Sequence, residues 1–238
     1  MSTATFNLAG DLEVNRLGFG TIHLTTQRGF GPPRSNAKEL LKKTVSLGVN
    51  FIDTAYSYGP EHAENVIREA LYPYTKGLVI ASKGGFVHTS LENWEDRRRP
   101  DHLRKTCDSS LKRLKLERID LYQLHVPDPK VPYAESVGAL RELQKEGKIR
   151  HIGVSNVALQ QLEEARSQVK VVSMQKPLNV RYRENEDVLE FCAQEGIAFI
   201  AWMPLADKLR FYRVHPDPRA LEAALLRIAT RIKGRYLR

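Results

Sequence analysis

Short apolar runs alternate with amphipathic stretches along most of the chain, and this alternation restricts the possible folds more than any other feature. The strand-like runs lie at residues 16–21, 50–53, 78–82, 119–125, 151–156, 171–175 and 197–202. The helical stretches between them lie at residues 62–72, 101–115, 133–146, 158–167 and 186–195, and one more begins after Ser35 or Asn36 and ends near Gly48. The apolar stripe of that first helix is expected to contain Leu40, Leu41, Val45 and Leu47. Almost continuously apolar strands are typical of parallel sheets buried on both faces, so the pattern predicts a series of βα units.

Seven such units in a row favour a (β/α)8 TIM barrel over an open doubly wound sheet. A dinucleotide fingerprint, GxGxxG, would favour the open sheet, but after Gly18 and Gly20 the third glycine position holds His23. Residues 6–14 predict an N-terminal β-hairpin that turns at Gly10-Asp11. The expected fold class is therefore α/β, a TIM barrel with an N-terminal β-hairpin.

The last part of the chain differs from the rest. Residues 207–238 contain nine lysines and arginines but only three acids, so they carry most of the net charge of +9. They predict a helix over 218–233, whereas the β-like run at 209–214 follows the preceding strand too closely for a parallel crossover of a dozen or more residues. We expect residues 1–238 to form one barrel domain that is incomplete at its last βα unit, with 207–238 as an atypical basic segment. Such a barrel would stay open, or this segment or a second copy would close it.

Several classes of partner are disfavoured. The basic segment and Arg97-Arg98-Arg99 have no helix-turn-helix, RNP or finger pattern beside them, so a solvated basic surface is favoured over a nucleic-acid site. The start of the chain lacks the pattern of a signal peptide, and no apolar run approaches the roughly 20 residues that cross a bilayer. Cys107 shares a helical face with leucines and is predicted to be a core thiol, and neither it nor Cys192 has metal-ligand spacing. We expect a cytoplasmic protein with no metal and no membrane partner.

Polar side chains stand at the ends of successive predicted strands, where a barrel gathers its chemistry. They are Asp53, Lys83, His125, Ser155-Asn156, Gln175 and Trp202, with Tyr56 and Tyr58 in the loop after Asp53. Each alone has an ordinary explanation, such as a helix cap, a solvated lysine or a packed tyrosine. Their coincidence at one rim predicts a functional site.

The chemistry of these groups also fits together. An ammonium at Lys83, held by Asp53, should stabilise the phenolate of Tyr58 and lower its pKa from a reference near 10. Tyr58 would then donate a proton, with His125 orienting a carbonyl oxygen. No activated serine or cysteine and no paired carboxylates accompany this set, so it suits hydride addition from a bound cofactor. Ser155, Asn156 and Gln175 could hydrogen-bond a carboxamide, and Trp202 could stack on a flat ring.

The stretches LGFGT, NFIDTAYSYG, IASKGG, IDLYQLH, GKIRHIGVSN and AWMPL occur in an order and spacing that resemble an aldo-keto reductase over roughly residues 6–206. The resemblance implies a TIM barrel that reduces a small carbonyl compound with NADPH, NADH being the alternative cofactor. It implies Tyr58 as general acid within a tetrad completed by Asp53, Lys83 and His125. It also implies that the nicotinamide carboxamide binds Ser155, Asn156 and Gln175 and that Trp202 stacks on the ring. Further cofactor contacts are expected at Gly20, Thr21, Pro204 and Leu205, and substrate contacts at Tyr56 and at Phe30 in the 29–33 loop.

Two hypotheses follow from the sequence. The favoured one is an NAD(P)H-dependent oxidoreductase that reduces aldehydes or ketones. Its rival is a non-catalytic relative that binds a nucleotide or regulates another protein. The complete set of Asp53, Tyr58, Lys83 and His125 favours the enzyme, whereas the atypical end of the chain favours the rival.

Overall fold

A parallel sheet of seven strands organises the part of the chain that this computed structural model describes, residues 5–24, 31–59, 62–86, 100–179 and 181–204. The elements in chain order are β1 (Thr5–Leu8), β2 (Leu12–Asn15), β3 (Phe19–Gly20), α1 (Arg34–Ser46), β4 (Phe51–Asp53), α2 (His62–Leu71), β5 (Val79–Gly84), α3 (Pro100–Leu114), β6 (Ile119–Leu124), α4 (Tyr133–Lys145), β7 (Ile149–Ser155), α5 (Leu159–Arg166), β8 (Val171–Pro177), α6 (Glu186–Gln194) and β9 (Ala198–Trp202). A single 3-10 turn at 22–24 follows β3. Strands β3 to β9 pair in chain order and every pair is parallel, so the predicted βα units are confirmed.

The N-terminal hairpin covers one end of this sheet. β1 and β2 pair antiparallel, from Thr5 opposite Asn15 to Leu8 opposite Leu12. Ala9 and Gly10 both adopt positive φ in the turn, at 60° and 90°, a conformation that glycine tolerates best. The predicted hairpin and its turn are thus confirmed.

Side chains beneath the hairpin show that the sheet curves into a barrel. One buried cluster joins the hairpin to the first halves of strands from β4 round to β9, and its members are Leu8, Val14, Phe51, Val79, Ala81, Leu121, Val172 and Ala198. Strands so far apart in the sheet order can share one cluster only if the sheet bends round to bring them together. The predicted barrel is confirmed, and the hairpin closes its amino-terminal end.

The helices form the outer layer. Cys107 is fully buried in a cluster that joins α3 and α4 to β6 and β7, as predicted for a core thiol. Among the described helices, none is both long enough and apolar enough to cross a lipid bilayer.

The start of α1 differs from the prediction. The helix begins at Arg34 and its N-cap is Pro33, so neither Ser35 nor Asn36 caps it. Proline holds φ near the helical value, −50° at Pro33, and gives up no hydrogen bond at a helix start. The chain therefore turns into the helix before it reaches the polar residues.

The apolar stripe of α1 was also predicted wrongly in part. Leu41 is buried, but Leu40 and Leu47 are 44% and 70% exposed. The buried face instead contains Ala37, Leu41 and Thr44, which are spaced by one helical turn. Ala37 and Leu41 share a cluster with residues of β4 and α2, and Leu40 lies about a quarter turn away from that face.

The sheet has two end strands within the described residues. β3 pairs with β4 and β9 pairs with β8, and no pairing joins β3 to β9 among the residues that the structure covers. The predictions for residues 207–238 and for Arg97-Arg98-Arg99 lie outside the described residues, as do those for Phe30 and Leu205.

Candidate active site

Backbone hydrogen bonds after β4 bring Asp53 and Tyr58 to the end of β5. The amide of Thr54 donates to the carbonyl of Ala81 at 2.9 Å, and the amide of Tyr56 donates to the carbonyl of Lys83 at 3.0 Å. The loop therefore continues the parallel pairing past the last residue of β4. β5 extends to Gly84, so Lys83 lies inside the strand and not after it.

The Lys83 ammonium lies at the centre of the site. Its Nζ donates to Asp53 Oδ2 at 2.6 Å, to the Thr54 carbonyl at 2.9 Å and to the Tyr58 hydroxyl at 3.3 Å. The lysine side chain has no solvent exposure. This burial by itself lowers the pKa of Lys83, but the Asp53 carboxylate and the Tyr58 oxygen oppose it and leave the pKa above its ordinary value. Lys83 is therefore a charged ammonium at neutral pH.

The pKa of Tyr58 corrects one expectation. Lys83 does lower it, as predicted, but burial of the phenol raises it by more, and Asp53 raises it further. The net pKa is above the ordinary value for tyrosine, so the prediction of a lowered pKa was wrong. The phenol is protonated at neutral pH, and Lys83 limits how far its pKa rises.

The other oxygen of Asp53 accepts hydrogen bonds from across the barrel. Gln175 on β8 donates to Oδ1 at 3.2 Å, and Gln123 on β6 donates to it at 3.4 Å. Together with Lys83 on β5, these contacts hold the carboxylate from three strands. An ionised carboxylate only accepts hydrogen bonds, so each glutamine must direct its NH2 group at it.

His125 lies next to the phenol. Its backbone amide donates to the Gly84 carbonyl at 2.9 Å, and its Nδ1 lies 3.3 Å from the Ser57 hydroxyl. The imidazole meets the Tyr58 ring edge-on, with 5.8 Å between the ring centroids, and also contacts Phe86. The structure thus brings together the four residues predicted for the tetrad.

A second polar group follows β7 and β9. Asn156, in a left-handed conformation with φ 58°, donates from Nδ2 to the His125 carbonyl and to the Ser155 hydroxyl, both at 3.0 Å. Its Oδ1 accepts a hydrogen bond from Trp202 Nε1 at 3.2 Å. Its backbone amide donates to the backbone carbonyl of Gln175. The Asn156 carboxamide, the Ser155 hydroxyl and the Trp202 indole therefore meet beside His125, while the Gln175 side chain bonds Asp53. Because these groups hydrogen-bond one another and Asp53 in this structure, a ligand that bound there would have to replace some of those hydrogen bonds with its own.

The remaining predicted contacts are distributed around this rim. Thr21 is buried and bonds the Asp53 carbonyl through both its amide and its hydroxyl, at 2.9 and 3.1 Å, while the neighbouring Gly20 is exposed. Pro204 is exposed at the end of the described chain. The Tyr56 ring instead packs against α3, edge-on to His102 and 4.4 Å below the Arg113 guanidinium.

Sequence reasoning missed three groups in the site. Two are the Thr54 carbonyl, which no side-chain pattern can reveal, and the Ser57 hydroxyl beside His125. The third is Gln123, and here a signal existed, because a lone amide inside the apolar run IDLYQL must find a buried partner. Within the described residues, no group of His, Cys, Asp or Glu side chains could hold a metal ion.

The model of the aldo/keto reductase family matches residues 16–227. An uncharacterized oxidoreductase of Schizosaccharomyces pombe is 47% identical over 83% of this chain and 65% of its own length. The pyridoxine 4-dehydrogenase of Escherichia coli is 38% identical over 86% of this chain and 74% of its own length.

Solved structures show the same similarity. The glycerol dehydrogenase of Gluconobacter oxydans aligns with a TM-score of 0.77 and 31% identity, over 85% of this chain and 64% of that one. An aldo/keto reductase from Klebsiella pneumoniae, solved in complex with NADP and acetate, aligns with a TM-score of 0.72 and 27% identity, over 86% and 69% of the two chains. The chain thus spans about two thirds of the length of the proteins it matches.

Proposed function

The chain belongs to the aldo/keto reductase family, and we propose that it reduces an aldehyde or ketone to an alcohol with NADPH as the hydride donor. The observation that carries this proposal is the buried Lys83 ammonium bonded at once to Asp53 and to the Tyr58 hydroxyl. A protonated phenol beside a fixed cation is suited to giving up its proton to a carbonyl oxygen that gains electrons.

Each of the four residues has a distinct task in this proposal. Tyr58 donates the proton to the carbonyl oxygen as general acid. Lys83 stabilises the phenolate that remains, and Asp53 fixes Lys83 in place. His125, next to the phenol, orients the carbonyl oxygen toward it.

The nicotinamide cofactor, when bound, supplies the hydride. Ser155, Asn156 and Gln175 would hold its carboxamide, and the Trp202 ring would stack on the nicotinamide. Further contacts are proposed at the end of β3, at Gly20 and Thr21, and after β9, at Pro204 and Leu205. NADP in the Klebsiella pneumoniae structure supports this cofactor class, and NADH is the alternative.

The proposed substrate is a small carbonyl compound that enters at the same rim. Phe30 is proposed as a substrate contact, and Tyr56 would serve mainly by packing the loop after β4 against α3. The cytoplasm is the proposed location, consistent with two buried cysteines, Cys107 and Cys192, that are not paired in a disulfide. Self-association across the ends of the sheet, at β3 and β9, is proposed as one way to complete the barrel.

A cofactor titration followed by a reduction assay tests the proposal. Quenching of Trp202 and the other tryptophan should report NADPH binding, and NADPH should be consumed when small aldehydes are added. Tyr58→Phe should bind NADPH nearly as tightly while reduction falls by about 10²-fold or more. Binding without turnover in the parent protein would favour the non-catalytic relative, and absence of binding to either nucleotide would refute the proposed function.

A further inference from the structure

Gln123 is a fully buried amide in the barrel interior, on β6 between apolar neighbours. Its Nε2 donates to Asp53 Oδ1 at 3.4 Å, on the side of the carboxylate away from Lys83. Gln175 shares that oxygen, but Gln175 also lies with Asn156 among the groups proposed to bind the cofactor. The hydrogen bond of the Gln123 side chain within the described residues goes to the tetrad and not to a group proposed to bind the cofactor.

Filling the core of the barrel does not by itself require an amide at position 123. Gln123 Oε1 is buried and accepts no hydrogen bond from the residues that the structure describes. Burying an acceptor without a partner costs desolvation free energy, which offsets part of what the hydrogen bond from Nε2 to the Asp53 carboxylate contributes to stability. The contact with Asp53 is what the amide provides and an apolar side chain could not.

A glycine on the next strand makes room for this arrangement. A Cβ atom at Gly153 would lie 2.1 Å from Ser173 Oγ and 2.9 Å from Gln123 Cγ. Both distances are shorter than any normal contact, so a side chain at this position would displace Gln123. A glycine inside a strand often marks such a close approach, and here it keeps Gln123 in reach of Asp53.

We propose that Gln123 is a positioning residue that orients the Asp53 carboxylate toward Lys83. It keeps the carboxylate oriented when the Gln175 side chain gives up its hydrogen bond to Asp53 and binds the cofactor carboxamide. The exchange step rests on the proposed function. The anchoring of Asp53 does not, because it concerns the free protein.

Gln123→Glu tests the anchoring without any assay of activity. A protonated glutamic acid has nearly the shape of glutamine and can still donate to Asp53, whereas an ionised one repels it. Two carboxyl groups that share a site raise the pKa of one of them. The stability that this raised pKa provides is present below the unfolded value of about 4.3 and is lost as the pH rises through the higher folded value. The unfolding temperature of ligand-free Gln123→Glu should therefore fall as the pH rises from about 5 to about 8, while that of the parent stays level.

Three further variants complete the experiment. Gln144→Glu makes the same chemical change on α4, where the half-buried Gln144 donates to the neutral carbonyl of Arg150, and should show a smaller fall. Gln123→Glu combined with Asp53→Asn keeps the burial at position 123 but removes the second carboxylate, so the part of the fall that repulsion causes should disappear. Gln123→Leu removes the hydrogen bond to a charged group, so kcat should fall about tenfold while the NADPH Kd changes less than twofold. This variant also decides the matter if Gln123→Glu does not fold at neutral pH.

The outcomes separate the two proposals. Parallel stability curves for Gln123→Glu and the parent, or an unchanged kcat in Gln123→Leu, would overturn the positioning role. If the parent neither binds NADPH nor reduces a carbonyl, the proposed function fails, and the stability curves still decide whether Gln123 anchors Asp53.

Discussion

Lys83→Met removes the buried ammonium that joins Asp53 to Tyr58, and its effect on stability can be worked out from the structure. Taking away one partner of a buried ion pair costs about 3–5 kcal/mol, because the other charge stays behind poorly solvated. The Asp53 side chain is 14% exposed and retains two amide donors, so the lower end of about 3 kcal/mol applies. For a chain of this size that corresponds to a fall in Tm of about 6–12 °C.

The same variant should lose activity for a separate reason. Without the Lys83 charge, the phenolate that remains after proton transfer is less stable, and the pKa of Tyr58 rises further above its ordinary value. We expect kcat for carbonyl reduction near neutral pH to fall by about 10²-fold or more. Thermal unfolding monitored by circular dichroism and the rate of NADPH consumption measure the two effects.

Two controls distinguish the buried pair from a general effect of losing a lysine. Lys148→Met removes an ammonium 2.8 Å from Asp108 on the surface and should change stability by about 0.5 kcal/mol at most. Lys83→Met combined with Asp53→Asn removes both charges of the buried pair, so most of the lost stability should return while kcat stays as low as in Lys83→Met.

One result would refute this reasoning directly. If Lys83→Met unfolds at the parent temperature and keeps the parent pH–rate profile, then Lys83 carries no structural charge and has no part in the chemistry. A double variant no more stable than Lys83→Met would show that lost packing, and not the unpaired Asp53, causes the destabilisation.

Three other predictions follow from the charges of the molecule. Burial raises the pKa of Tyr58 above its ordinary value near 10, so Tyr58 should stay protonated, and the rate of carbonyl reduction should not fall for want of a proton donor, below about pH 10. A pH–rate profile that falls well below pH 10 would contradict Tyr58 as the general acid. Asp11 pairs with Arg150 and His151 at the base of the barrel, and these contacts lower the pKa of its carboxyl group. The stability that they provide is present above the ordinary pKa of aspartate and is lost as the pH falls through the lower pKa of the folded protein. Asp11→Asn should therefore lower Tm slightly near neutral pH and not in strong acid. NADPH should bind more tightly than NADH through the basic residues of 207–238, and a preference that does not weaken as salt is added would argue against that electrostatic origin.

The βα order and the rim of the barrel could be predicted from the sequence alone. Continuous apolar runs and amphipathic stretches report local burial, and a parallel barrel places the ends of its strands at one rim. Once the strands were assigned, Asp53, Lys83 and His125 had to lie near one another. The hairpin followed from the turn at Gly10 in the same way.

Other features required the tertiary structure, because they depend on how much room and how much water surround a group. The net pKa of Tyr58 depends on a balance between burial and the charge of Lys83, and only the packed site shows that burial is the larger effect. Whether Leu40 or Leu41 is buried depends on which face of α1 meets β4 and α2. The contact of Gln123 with Asp53 crosses the barrel interior through space left by Gly153, and residues so far apart in sequence meet there only because the sheet curves.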